Sequence, residues 1–182
     1  MLWWSPDPRA ILPLDGLYVS RRLGRRLRSD EFQVTCDTAF ADVIAACAHG
    51  QGREGGTWLT PGMIDAYVEL HRQGHAHSVE TWHDGQLAGG VYGLAIGGLF
   101  AAESMFYRSR DGSKVALARL VSHLTARGYK LFDVQQATPH TESMGVVEIS
   151  RRDYLAKLRA VVELPVSFGD AIEPWRDPSR AI

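Results

Sequence analysis

Apolar positions along the chain recur with two spacings, one helical and one of alternation. Phe40, Val43, Ile44 and Cys47 fall on one helical face, with Asp37 as its expected cap and Gly50 as its end. Thr60-Pro61 pairs a capping residue with a proline suited to the first helical position. The helix it predicts buries Ile64, Tyr67, Val68 and His71, and Gly74 stops it. From 76 to 107 the period changes to two. Residues 78–82 alternate, Asp84-Gly85 is a hairpin turn, and 86–96 is the next strand. Gly97-Gly98 turns the chain into a third strand over 99–107. Gly89, Gly90 and Gly93 predict a bulge or a close approach by a ligand or another backbone.

Residues 17–20 and 32–36 are further strand candidates. A polar loop over 108–114 leads into a helix through Arg127, with Leu117, Leu120, Val121 and Leu124 inward and Gly128 after it. Residues 131–135 return as a strand, and 136–146 as a loop. Ser150 and Asp153 have capping-box spacing and open a helix to about 161. Residues 3–9 form a proline-stiffened turn whose tryptophans pack as core, 51–56 a glycine-rich loop, and the stretch from 165 an irregular tail. The fold expected is α+β: a mixed sheet with an antiparallel meander, flanked by helices. The expected division is 1–57 as an N-terminal and basic region, 58–164 as the catalytic domain, and 165–182 as the tail.

Composition narrows the chemistry. The 182 residues are 45% hydrophobic, with a formal net charge of -1, so no global basic field exists. Cys36 and Cys47 are far apart and form no CxxC pair, which predicts no structural metal and fits a reducing cytosol. No apolar run approaches membrane-spanning length. His71, His75 and His77 lack ligand spacing on one element.

Four features carry candidate chemistry. Asp133 and Gln135 lie two apart on one strand and are expected on one face, as a hydrogen-bonded structural pair or as a site. Glu103 ends an apolar strand, either paired with an arginine such as Arg108 or facing a cationic substrate. Trp58 follows the glycine-rich loop, as core or as a stacking platform. Arg21, Arg22, Arg25, Arg26 and Arg28 crowd into eight residues, as a solvated face or as a phosphate contact.

The order of elements resembles that of an acetyltransferase-like (GNAT) domain. A more specific likeness rests on short motifs in sequence: WWSPDPR at 3–9, GTW at 56–58, HAHSVE at 75–80, GGVYG at 89–93, ESMF at 103–106, SK at 113–114 and DVQ at 133–135. His140, Met144-Gly145 and ISRR at 149–152 continue it. In this order they resemble the bacterial leucyl/phenylalanyl-tRNA–protein transferases, over residues 2–158. The resemblance implies transfer of Leu or Phe, with Met a further candidate, from a charged tRNA to the α-amino group of proteins that begin with Arg or Lys. The products are marked for degradation. It implies a cytoplasmic monomer whose partners are aminoacyl-tRNA and acceptor proteins, with no cofactor, no metal and no membrane.

The resemblance also assigns roles. Asp133 and Gln135 match the family's catalytic pair, and Glu103 a residue that holds the acceptor. Trp58 matches a tryptophan that stacks on the terminal adenosine, and the five arginines fall where the family has a basic run. Phe100, Met105, Val91 and Leu120 are candidates to line the donor side-chain pocket, or plain core. Two departures stand out. The family has a segment with a Phe-Pro-Trp element before WWSPDPR, whereas this chain starts at the tryptophan pair; a late start or a short form is expected. Val91 also stands where Met or Leu is common, which shifts selectivity by only about 1–3 kcal/mol. Two other functions compete: a non-catalytic aminoacyl-tRNA binding module, and an acyl-CoA-dependent acetyltransferase. Against the latter, residues 108–112 lack a glycine-rich pyrophosphate loop.

Overall fold

Seven strands form one sheet in the order β2-β3-β4-β5-β6-β1-β7 in the computed structural model, which describes residues 5–49 and 57–177. In chain order the elements are β1 (Arg9–Ile11), α1 (Arg21–Arg28), β2 (Gln33–Cys36), α2 (Phe40–His49), α3 (Pro61–Arg72), β3 (Ala76–His83), β4 (Gln86–Ile96), β5 (Leu99–Tyr107), α4 (Gly112–Arg127), β6 (Leu131–Gln135), α5 (Pro139–Glu142), β7 (Val147–Ile149) and α6 (Arg151–Val161). The expected meander is β3-β4-β5, antiparallel throughout. β6 then pairs parallel to β5 across α4, which makes the sheet mixed as anticipated. The expectations for Trp3, Trp4, Gly50 and 51–56 lie outside the described residues, as does 178–182 of the tail.

Several local expectations change. Residues 17–20 form no strand; Leu17 is core, and Ser20 caps α1 by accepting from the Leu23 N–H. The arginine run is itself helical, because Leu23 and Leu27, four apart, give it a face to bury. Asp37 does not cap α2, which starts at Phe40. Its backbone is left-handed at φ 55, and its carboxylate accepts from the Ser78 N–H (2.8 Å) and meets His77 Nδ1 (2.7 Å). β1 replaces the end of the expected turn, α5 interrupts the expected loop over 136–146, and β7 follows that loop directly. Elements of three or four residues are too short to show a period.

The two sheet faces can be told apart by neighbours on one strand. Val91 belongs to the cluster under α4, whereas Tyr92 belongs to the one under α2 and α3. Likewise Phe100 faces α4 and Leu99 faces α6. α1 and α4 therefore cover one face, while α2, α3 and α6 share the other. α4 lies so close that a Cβ on Gly89 would stand 2.6 Å from the Gly112 carbonyl carbon. The glycine density of β4 thus admits another stretch of backbone at that position. Residues 166–176 are irregular but pinned along α4. His123 bonds the Phe168 carbonyl through Nε2 (2.8 Å) and accepts the Glu173 N–H at Nδ1 (3.1 Å), and the Arg176 N–H reaches Ser122 Oγ (2.9 Å).

Two irregularities shape the centre of the sheet. The β5–β6 ladder holds only from Leu99↔Leu131 to Ala101↔Asp133, after which β5 runs on to Tyr107 and the two strands part. The β4–β5 register slips between Tyr92↔Ser104 and Gly93↔Ala102, so Glu103 sits in a bulge. Parting strands in a parallel pair open a crevice at their C-terminal ends, where ligands of open α/β sheets bind.

Candidate active site

Asp133 lies at the last rung before β5 and β6 diverge, facing α6 and 1% exposed. A buried carboxylate needs donors, and this one has four. Its Oδ1 accepts from Arg9 Nε (3.0 Å) and from the Gln135 N–H (2.9 Å). Its Oδ2 accepts from Arg9 Nη2 (2.6 Å) and from Tyr154 Oη (2.8 Å). The Arg9 guanidinium also sits 4.9 Å from the centre of the Tyr154 ring. Burial beside Asp133 pushes the Tyr154 hydroxyl up, so it remains a donor across the working pH range.

Gln135 departs from the expected geometry. The β1–β6 register slips, pairing Ala10 with Gln135 but Ile11 with Asp133, and Gln135 is left-handed at φ 58. Simple alternation is therefore broken between the two residues. Asp133 meets Gln135 through the backbone N–H rather than the side chain. Among the described residues the Gln135 amide has no hydrogen-bond partner, which leaves its oxygen and nitrogen available.

Glu103 faces α3, half-buried, and accepts a hydrogen bond from the Tyr67 hydroxyl. Burial pushes its carboxyl above the ordinary range. The Tyr67 bond pulls it back down, nearby Asp133 pushes it up, and Arg9 pulls it down. Burial, chiefly, and Glu103 itself push the Tyr67 hydroxyl well up. Arg9 matches the charge of Asp133, which leaves Glu103 as the carboxyl here with no cation of its own at ion-pair distance among the described residues. The Tyr67 ring meets Tyr92 (5.4 Å) and Trp58 (6.4 Å) edge to face. Trp58 is 44% exposed, a large apolar side chain standing in solvent beside a carboxylate site.

The fold thus brings Glu103, Asp133, Gln135 and Trp58 to one neighbourhood, through Arg9, Tyr67 and Tyr154. The four apolar candidates lie elsewhere. Val91, Phe100 and Leu120 are all but fully buried in the α4 cluster, on the opposite face, and Met105 packs half-buried against it. Of the five arginines, Arg22 pairs with Asp111 (2.7 Å) and Arg26 with Glu31. Arg21, Arg25 and Arg28 are exposed, with no ion-pair partner among the described residues. Two clefts lie away from Glu103 and Asp133. One of about 720 Å³ is lined by Asp37, His77 and Arg127, and one of about 600 Å³ by Trp82, Phe106 and Arg108. No cluster of His, Cys, Asp and Glu among the described residues could hold a metal.

Arg9, Tyr67 and Tyr154 are the members of this cluster that local patterns do not single out. Arg9 offers one signal, a charge opening an otherwise apolar Ala-Ile-Leu run. Tyr67 and Tyr154 look like the buried side of any amphipathic helix.

Comparison with known proteins bears on this geometry at two levels. In fold, the chain is similar to L-PGS from Bacillus licheniformis (TM-score 0.52, 17% identity, 72% of this chain and 46% of that one). A GCN5-related N-acetyltransferase from Kribbella flavida is alike (TM-score 0.52, 11% identity, 80% and 55%). These establish an acetyltransferase-like fold. In sequence, the chain is 50% identical over 179 residues to a leucyl/phenylalanyl-tRNA–protein transferase of Nitratidesulfovibrio vulgaris, spanning 98% of this chain and 75% of that protein. It is 54% identical over 159 residues to the Syntrophobacter fumaroxidans enzyme (87% and 68%), and 52% over 160 to that of Pseudomonas fluorescens (86% and 71%). A family model described as leucyl/phenylalanyl-tRNA protein transferase matches residues 11–159, a span that takes in Glu103, Asp133, Gln135 and Trp58. With the motif order, the fold and this match in agreement, the chain belongs to the leucyl/phenylalanyl-tRNA–protein transferase family.

Proposed function

We propose that this chain transfers Leu or Phe from an aminoacyl-tRNA to the α-amino group of proteins that begin with Arg or Lys, in the cytoplasm and as a monomer, marking them for degradation. Family membership makes it an aminoacyltransferase. The observation that carries the finer reading is the placement of the Glu103 carboxyl in the bulge of β5, beyond the last β5–β6 rung and in the same neighbourhood as the exposed Trp58. A carboxylate there suits an acceptor with both an N-terminal cation and a cationic first side chain.

The reaction is aminolysis of an ester. The neutral amine nitrogen attacks the carbonyl carbon, the amide C–N bond forms, and the C–O bond to the tRNA terminal ribose breaks. The amine loses a proton and the ribose oxygen gains one. A free α-amino group has a pKa of about 8, so a minority is already neutral at pH 7, and the chief task is positioning. The Gln135 amide oxygen can accept from the amine and aim its lone pair. Trp58 offers a flat surface for the terminal adenosine. Arg21, Arg25 and Arg28 are the arginines available to phosphates. Met105 reaches the edge of the α4 cluster, where a donor side chain entering between the splayed strands would meet it, with Val91, Phe100 and Leu120 behind it.

The acyl-CoA reading is disfavoured by the start of α4. A pyrophosphate binds a helix N-terminus through free N–H groups and its positive end. Here the N-cap residue is Asp111, whose buried carboxylate is held by Arg22; it makes no cap hydrogen bond but puts negative charge at that terminus. The test supplies labelled Leu-tRNA or Phe-tRNA with peptides beginning with Arg, Lys or Gly. Transfer to the Arg and Lys peptides alone is expected. Equal transfer to the Gly peptide sinks the acceptor assignment, and tRNA binding without any transfer favours the non-catalytic module.

A further inference from the structure

The carboxylate of Asp133 is saturated. An ionised carboxylate offers about four acceptor positions, and here two donors from Arg9, the Tyr154 hydroxyl and the Gln135 N–H fill them at 2.6–3.0 Å. Asp133 therefore has no free lone pair for the amine or for the Gln135 side chain. What it does hold is the Gln135 backbone, left-handed at φ 58, a conformation that a residue with a side chain keeps only when its surroundings impose it. The donors that fix Asp133 come from β1 and α6, 124 and 21 residues away in sequence.

We propose that Arg9 and Tyr154 are positioning residues for the transfer: they lock Asp133 so that its Oδ1 fixes the Gln135 N–H, and with it the direction of the Gln135 amide. This rests on the aminoacyl-transfer reading. The two residues act from opposite sides of the carboxylate. Arg9 spans both oxygens in a fork that fixes the carboxylate plane. Tyr154 donates to Oδ2 alone, while its ring supports the guanidinium. Arg9 supplies two of the four donors, so its replacement should have the larger effect on the lock.

The experiment uses the full chain with Tyr154→Phe, which removes one hydroxyl and keeps the ring, and Arg9→Lys, which keeps the charge and loses the fork. Two readouts are taken. Amide exchange of the Gln135 N–H reads the lock without reference to activity. It is expected to accelerate at least tenfold in either variant, while the Ser78 N–H, held by Asp37, is unchanged. In the transfer assay kcat is expected to fall about tenfold, with KM for tRNA and peptide within twofold. That loss should vanish in a Gln135→Ala background, because residues acting through one group are not additive. Unchanged Gln135 exchange in both variants overturns the proposal, as does an equal loss with and without Gln135. Should the parent chain transfer nothing, the aminoacyl-transfer reading fails, and the exchange measurement still decides the lock.

Discussion

Replacing Tyr67 with Phe tests the electrostatic account of Glu103 most directly. The change deletes one hydroxyl and keeps the ring against Trp58 and Tyr92. In the parent, burial holds the Glu103 carboxyl above its ordinary value of 4.5, and the Tyr67 bond is the strongest influence pulling it down. A hydrogen bond to a charged group is worth about 1.5–3 kcal/mol, and one pKa unit corresponds to about 1.36 kcal/mol. Loss of the bond should therefore weaken the ionised form of Glu103 by about 1.5–3 kcal/mol and raise its pKa further. The acceptor site needs the ionised form, so activity falls as pH drops through this pKa. In Tyr67→Phe the lower break in the acid limb of kcat/KM for an Arg-started peptide, below the break set by the acceptor amine itself, should move to higher pH. The measurement is kcat/KM against pH at saturating aminoacyl-tRNA, parent beside variant. A lower break that stays in place, or moves to lower pH, would refute the assignment of Glu103 as the acceptor's counter-charge.

Trp58→Ala should weaken aminoacyl-tRNA binding by about 1–3 kcal/mol, while Tm changes little, since the side chain is 44% exposed; binding and melting measured together check this. Reversing Arg21, Arg25 and Arg28 to Glu should reduce the slope of log affinity against log salt by up to about 0.9 for each phosphate no longer neutralised. Arg22→Ala should instead cost stability, about 1–3 kcal/mol in denaturant melts, because Asp111 is buried and loses its 2.7 Å partner. His123 is held neutral: burial lowers its pKa below 6.5, with Arg127 adding to the shift and the Phe168 bond, Glu173 and Asp37 opposing it. Its Nδ1 accepts the Glu173 N–H, so protonation breaks that bond. Between the folded and unfolded pKa values only the unfolded chain is protonated. Stability is thus complete above about 6.5 and declines as pH falls below it, and amide exchange in 166–176 should rise there first. Exchange in the tail that is independent of pH over this range, after correction for intrinsic rates, would contradict it.

The sequence by itself determined what is local. Period two gave the β3-β4-β5 meander, and helical spacing with Thr60, Ser150 and Gly128 gave α3, α6 and the end of α4. These follow from backbone geometry and caps, which act within a few residues. The motif order placed the chain in its family and singled out Glu103, Asp133, Gln135 and Trp58. Only the tertiary structure decided what those residues can do. Arg9 reaches Asp133 because β1 inserts between β6 and β7, a contact across 124 positions that no local pattern encodes. The strand alternation that put Asp133 and Gln135 on one face gave way to a bulge and a left-handed residue, held by the carboxylate itself. Phe100 and Met105, five apart on β5, ended on the same face, because the register slip lies between them. Arg22 and Arg26 left the free basic surface for acidic partners, which composition could not foresee. Periodicity says that a side chain is buried; the path of the chain decides against what, and therefore whether a carboxylate is filled by four donors, like Asp133, or meets a tyrosine hydroxyl, like Glu103.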